Sequence, residues 1–321
     1  MHDTITLCSG PLTAAFLPLG ARLTGLWHAG FPDSLVLGYR AREAYATDPF
    51  YLGAVVGPIA NRVAKSIAEV GGTRWQMTAN EGDTCLHSGP EGASHKQWHT
   101  RAQSAEHVAF ELEYAHAEGG LPGNRHIRID YRLTSDALCL SITATSDRDT
   151  PVNLAHHPYW CLDASPQGPS QWLRVIADAY LPVDARGLPT GDTLPVKDSA
   201  YDFSQPRLVP TDIPLDANLC LSARRAKSPT PVAHLTARNG LAMTIQTTEP
   251  GLQVYNGAGL YDAGDDLHNG GRLRPYMGLA LEPQGWPGAL NHAGFPTIMI
   301  KAGATYRQET VYRIAATSGT D

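Results

Sequence analysis

Between residues 108 and 142, apolar side chains occupy every second position. Val108, Phe110, Leu112 and Tyr114 form one run, Ile127, Ile129, Tyr131 and Leu133 a second, and Leu138, Leu140 and Ile142 a third. Successive side chains on an extended strand point to opposite faces, so a period of two predicts half-buried antiparallel strands. Glu118-Gly119-Gly120-Leu121-Pro122-Gly123-Asn124 and Thr134-Ser135-Asp136 supply turns between them, at the spacing of a meander. Residues 5–28 predict two or three short strands, with Leu23, Leu26 and Trp27 entering the core. Further short strands are predicted at 75–77, 179–184, 215–221, 243–245, 251–256, 278–282 and 305–315, with 163–171 a polar, turn-rich connection. No heptad, internal repeat or low-complexity segment interrupts this pattern, and the fold class it predicts is all-β.

Composition narrows the picture. The chain has 321 residues, 31 of them glycine and 24 proline, which fits many turns between short strands. A length prior of about 150 residues per domain suggests two domains, but β-sandwiches routinely exceed it as one unit. The net charge of −6 argues against a nucleic-acid or anionic-membrane partner. Five scattered cysteines without a C-x-x-C spacing favour free thiols over a disulfide framework. The N-terminus lacks a basic segment followed by an apolar one, and no run approaches the roughly 18 apolar residues of a spanning helix. A soluble, cytoplasmic protein is the expectation. G-x-G-x-x-G, P-loop and G-x-S-x-G patterns are missing, which leaves little support for nucleotide chemistry or a serine hydrolase.

Candidate chemistry centres on Asn153-Leu154-Ala155-His156-His157-Pro158-Tyr159-Trp160. Adjacent residues of a strand face opposite ways, so one imidazole can meet a ligand while the other braces the sheet behind it. Histidine also titrates nearest neutral pH, which suits it to proton transfer. Arg62 ends the apolar run 53–62, where its charge needs either a partner or a ligand. His87 lies between a strand and a Gly/Pro loop. His95 and His99 stand four apart, but no Cys pair or H-E-x-x-H accompanies them to make a zinc site. Asp216 precedes an apolar run, either hydrogen-bonding a turn or facing a ligand. Glu282 ends a wholly apolar run before a Pro/Gly-rich loop with Trp286; partial desolvation there would raise its pKa and improve it as a base.

At these residues the chain resembles the aldose 1-epimerase (mutarotase) family. The resemblance is carried, in order, by Gly57-Pro58-Ile59-Ala60-Asn61-Arg62, by Asn80-Glu81-Gly82 with Leu86-His87-Ser88-Gly89, by Pro151-Val152-Asn153-Leu154 with His157 and Tyr159-Trp160, by Leu215-Asp216-Ala217-Asn218, and by Leu281-Glu282-Pro283-Gln284. It implies one large antiparallel β-sandwich domain over residues 1–321, a supersandwich with an open sugar cleft on one sheet. It further implies Glu282 as general base, His157 as general acid, His87 and Arg62 as contacts near the reacting oxygens, and Asp216 as a carboxylate binding ring hydroxyls. The partner it implies is a monosaccharide, handled by a monomer or homodimer with no cofactor and no metal. His156 stands where the family pattern has Asn, Pro58 where Arg is frequent, and Cys161 where Asn is usual; these departures leave the acid and base in place and bear on sugar preference. Tyr159, Trp160 or Trp286 would offer an apolar face to the sugar. The alternatives are a mutarotase of a phosphorylated or sulfonated sugar, for which Lys96, Arg125, Arg224 and Arg225 could supply charge, and a non-catalytic carbohydrate-binding protein. A glycosidase is less favoured: it would want two carboxylates flanking the bond, and Asp216 with Glu282 is the only obvious pair.

Overall fold

A computed structural model of the chain describes residues 4–163 and 170–316, so most of the connection expected at 163–171 lies outside the described residues. Its largest element is an antiparallel sheet of nine strands. In spatial order they are Arg207–Leu208, Gln171–Val175, Thr230–Ala237, Leu241–Thr247, Thr305–Ala316, Ala137–Ser146, Arg125–Leu133, His107–Tyr114 and His99–Gln103. The period-two runs form adjacent strands in register: Phe110 opposes Ile129, and Ile129 opposes Ile142. These apolar side chains therefore form a row across one face, while Glu111, Arg128 and Asp130 on the other face pair with one another.

A six-stranded sheet, in the order Tyr159–Trp160, Leu279–Gln284, Gly251–Tyr255, Asp216–Cys220, Ala179–Tyr180 and Leu194–Pro195, supplies the second layer. A separate three-stranded sheet of Ile5–Ser9, Leu12–Leu17 and Arg22–His28 also packs on the large sheet. One hydrophobic cluster draws on all three sheets, joining Phe16 and Leu23 to Phe110, Tyr131 and Ile142 and to Leu219, Val254 and Leu281. Burying a side chain the size of Leu281 is worth ~1.5–3 kcal/mol, so this shared core is what holds the layers face to face. Trp27 departs from expectation. It is only partly buried and meets the edge of the His268 ring at 5.3 Å. The expected strand at 179–184 is also shorter, ending at Tyr180, because the chain then turns back to bridge Val183 with Pro189.

The layers meet behind the candidate site. Gln308, buried in the central strand of the large sheet, donates from Nε2 to the carbonyl of Pro283 at 3.0 Å and accepts from the Tyr306 hydroxyl at 2.8 Å. The strand carrying Glu282 is thus fixed to the large sheet one residue beyond the carboxylate.

Candidate active site

Strand Leu279–Gln284 is buried along its whole length. Leu279 and Leu281 join the core cluster, so Glu282, of opposite parity, projects from the other face of the sheet. There it lies in a cleft of about 310 Å³ with Arg62, His87, His157 and Asp216, the other candidates, which all line the same space. His156 and His157 separate as alternation requires. His156 turns inward, its Nδ1 3.3 Å from the Tyr312 hydroxyl, while His157 places Nε2 3.5 Å from Glu282 Oε1. The backbone decides which of the two enters the cleft. His157 donates its N–H to Ala54 and accepts from Gly53 N–H through its carbonyl, and His156 pairs with Val55.

His87 and Arg62 arrive as one unit. Strand Arg62–Val63 pairs with Cys85–Leu86, and His87 N–H then donates to the Asn61 carbonyl at 3.1 Å. In return Asn61 N–H donates to His87 Nδ1 at 3.1 Å. That bond fixes the tautomer: Nδ1 accepts, so the neutral ring carries its proton on Nε2. Asn61, His87 and Tyr51 all take positive φ, at 64°, 53° and 57°. Left-handed backbone is uncommon for such residues, and here it falls at cleft-lining positions. The Tyr51 ring packs 4.7 Å from His87 and 6.0 Å from His157, and also 5.7 Å from His95.

Arg62 is clamped. Its Nε and Nη2 donate to the two oxygens of Glu81 at 2.5 and 2.9 Å, and Nη1 lies 3.5 Å from Asp216 Oδ2. Asp216 begins strand Asp216–Cys220 rather than a turn, and its Oδ1 accepts from Gln253 Nε2 at 2.6 Å. Gln253 stands opposite Glu282 in the sheet and lines the same cleft.

Burial controls the ionisation of the pair at the cleft floor. The His157 and Glu282 side chains are 5% and 3% exposed. Desolvation pushes Glu282 well above the usual carboxylate range, with the charge of Asp216 acting the same way and Arg62 against it. The same desolvation lowers His157 to about 4. It lowers His87 well below the usual imidazole value, helped by His157 and Arg62. Asp216 is raised by burial despite Arg62 and Gln253; the 39% of its side chain left open faces the cleft. His87, His157 and Glu282 offer ligand atoms within 4.8 Å of one another, close enough to consider a divalent metal. The Asn61 hydrogen bond opposes that use, because the free nitrogen of His87 already holds a proton.

The aromatic candidates divide. Tyr159 lines the cleft, whereas Trp160 is wholly buried against Tyr312, at 4.8 Å, and Trp286 packs on Phe295 and donates to the Pro250 carbonyl. Lys96 pairs with Glu118, Arg225 with buried Glu249, and Arg125 donates to the carbonyls of Gly123, Ala115 and Glu118. None of these, nor Arg224, lines the cleft. Asn61, Gln253, Tyr51 and Tyr255 do line it and were not singled out from sequence. The parity of Gly251-Leu252-Gln253-Val254-Tyr255 held a signal for two of them, since Gln253 and Tyr255 share one face.

The family model for aldose 1-epimerase matches residues 3–313. The chain belongs to the aldose 1-epimerase family. Within it, a galactose mutarotase from Homo sapiens is 32% identical over 89% of this chain and 85% of its own length. An aldose 1-epimerase from Escherichia coli is 30% identical over 88% and 85%. Among solved structures, an aldose epimerase homologue from C. elegans superposes with a TM-score of 0.91 at 28% identity, covering 98% of this chain and 99% of the other. A galactose 1-epimerase from Lactobacillus acidophilus, at 24% identity and a TM-score of 0.82 over 97% and 93%, shares the fold. The all-β family architecture expected from the sequence is thus the observed one.

Proposed function

We propose that this protein interconverts the α and β anomers of a free aldose by acid–base opening of the ring, with Glu282 as the base and His157 as the acid. The carrying observation is their contact at 3.5 Å in a buried site that raises one proton affinity and lowers the other. In water a histidine binds a proton more tightly than a glutamate. Burial works against that ordinary order, making Glu282 a stronger base and His157 a stronger acid. Glu282 takes the proton of the anomeric hydroxyl while the C1–ring-oxygen bond breaks. The bond pair stays on the ring oxygen, which takes a proton from His157. Rotation about C1–C2 of the aldehyde and reclosure with the roles reversed gives the other anomer. His87, with Nε2–H as its free edge, donates toward the reacting oxygens. Arg62, Asp216 and Gln253 offer donors and acceptors for the remaining hydroxyls. Each positioned proton-transfer group contributes ~10²–10⁴-fold.

The same reading makes residues 1–321 one working domain, because strands drawn from 99–316 interleave within the large sheet. It places the protein in a reducing compartment, where its five free cysteines stay thiols. No described helix is long and apolar enough to cross a membrane.

The test is anomer exchange followed by NMR at equilibrium, over a panel of free, phosphorylated and sulfonated aldoses. Accelerated exchange of a neutral aldose, lost in Glu282→Gln, is the expected result. A folded protein that accelerates no sugar would overturn the enzymatic reading in favour of carbohydrate binding.

A further inference from the structure

We infer that Glu81 sets the charge selectivity of the cleft: by occupying the fork of Arg62 it makes the site take neutral aldoses and reject anionic ones. This rests on the reading of the cleft as a sugar site. Among the described residues, Arg62 is the only cation lining the cleft. A free guanidinium fork matches a carboxylate or phosphate in two parallel hydrogen bonds, and on its own Arg62 would invite a sugar acid or a sugar phosphate. Glu81 already fills that role. It accepts from both Nε and Nη2, which leaves the Nη1/Nη2 end of the guanidinium, and there Nη1 lies 3.5 Å from Asp216. One positive charge thus faces two carboxylates. An arriving anion meets that net negative charge at short range, whereas a hydroxyl can use the remaining N–H groups and the carboxylate oxygens.

Arg62 is also walled on one side. The loop beyond it presents Gly187, whose backbone has φ +74° and lies so close that a Cβ would come within 2.9 Å of the guanidinium carbon. Arg186, in the same loop, is turned to Asp184 at 3.0 Å and brings no charge to the cleft. Glu81 itself is 41% exposed, so its carboxylate is held by Arg62 rather than required by the core.

The test compares the wild-type protein, Glu81→Gln and Asp83→Asn on glucose, glucuronate and glucose 6-phosphate, by anomer exchange and by calorimetric Kd. Gln keeps the shape and one acceptor oxygen at position 81 and removes the charge. Asp83→Asn removes an equal charge nearby that touches no part of Arg62. The expected result is that the anion-to-glucose ratio rises at least about tenfold in Glu81→Gln and stays within about twofold of wild type in Asp83→Asn. An unchanged ratio in Glu81→Gln, or an equal rise in Asp83→Asn, would overturn the assignment. If the wild-type protein exchanges no neutral aldose, the mutarotase reading falls by itself, and the Kd ratios still decide the role of Glu81.

Discussion

Glu282 and His157 are common side chains given uncommon proton affinities by desolvation. If Glu282 is the base, Glu282→Gln lowers exchange by ~10²–10⁴-fold while calorimetry still detects sugar binding. Near-normal exchange in that variant would remove Glu282 from the chemistry. His157→Asn is expected to fall by a similar factor and His156→Asn by far less, because His156 faces Tyr312 and not the cleft; the reverse order would show that the wrong imidazole was chosen. His156 has a second consequence. Burial lowers its pKa from 6.5 to about 3. Between those values the unfolded chain binds the proton and the folded one does not, so stability rises with pH across the window and is lost as pH falls from 6.5 toward 3. Urea denaturation from pH 7 to pH 4 should therefore show wild type losing stability relative to His156→Gln as the medium is acidified. A pH-independent difference would mean that His156 is protonated alike in both states.

The element that shapes the cleft rim is the loop after Asp48. The Asp48 and Arg22 side chains are paired in the core, 0% and 1% exposed. Asp48 accepts from the N–H groups of Phe50 and Leu52, and Arg22 donates to the Leu52 carbonyl. This pins the segment that carries Tyr51 over the histidines. Asp48→Ala would leave a buried guanidinium unpaired, at a cost of about 3–5 kcal/mol measured by urea denaturation, and would lower turnover as the rim loosens. Wild-type stability would show that water or another acceptor replaces the carboxylate. Neither partner of this pair was legible in the sequence, since 26 residues separate them and nothing local announces the contact. The long strands were legible for the opposite reason: each residue of Arg125–Leu133 records its own face through alternation. Two-residue strands such as Tyr159–Trp160 hold too few positions to show a period, and their pairing with Leu279–Gln284 comes from distant chain.

Across the whole molecule, closure depends on the last strand. Thr305–Ala316 lies between Ala137–Ser146 and Leu241–Thr247 and pairs with both. A chain ending at residue 304 would split the large sheet into two pieces with raw central edges, and such edges aggregate. Its expected fate is loss of soluble protein on expression, and a soluble truncation with native circular dichroism would refute this account of the fold. By itself, the sequence determined the β class, the faces of the long strands and the residue types able to move protons, because alternation and side-chain chemistry are local properties. It also determined that only one member of His156-His157 could face a ligand. Which member does so, how far burial shifts Glu282 and His157, and whether Arg62 is free or held by Glu81 were decided by the tertiary structure. Desolvation and charge pairing depend on neighbours that the order of residues does not name.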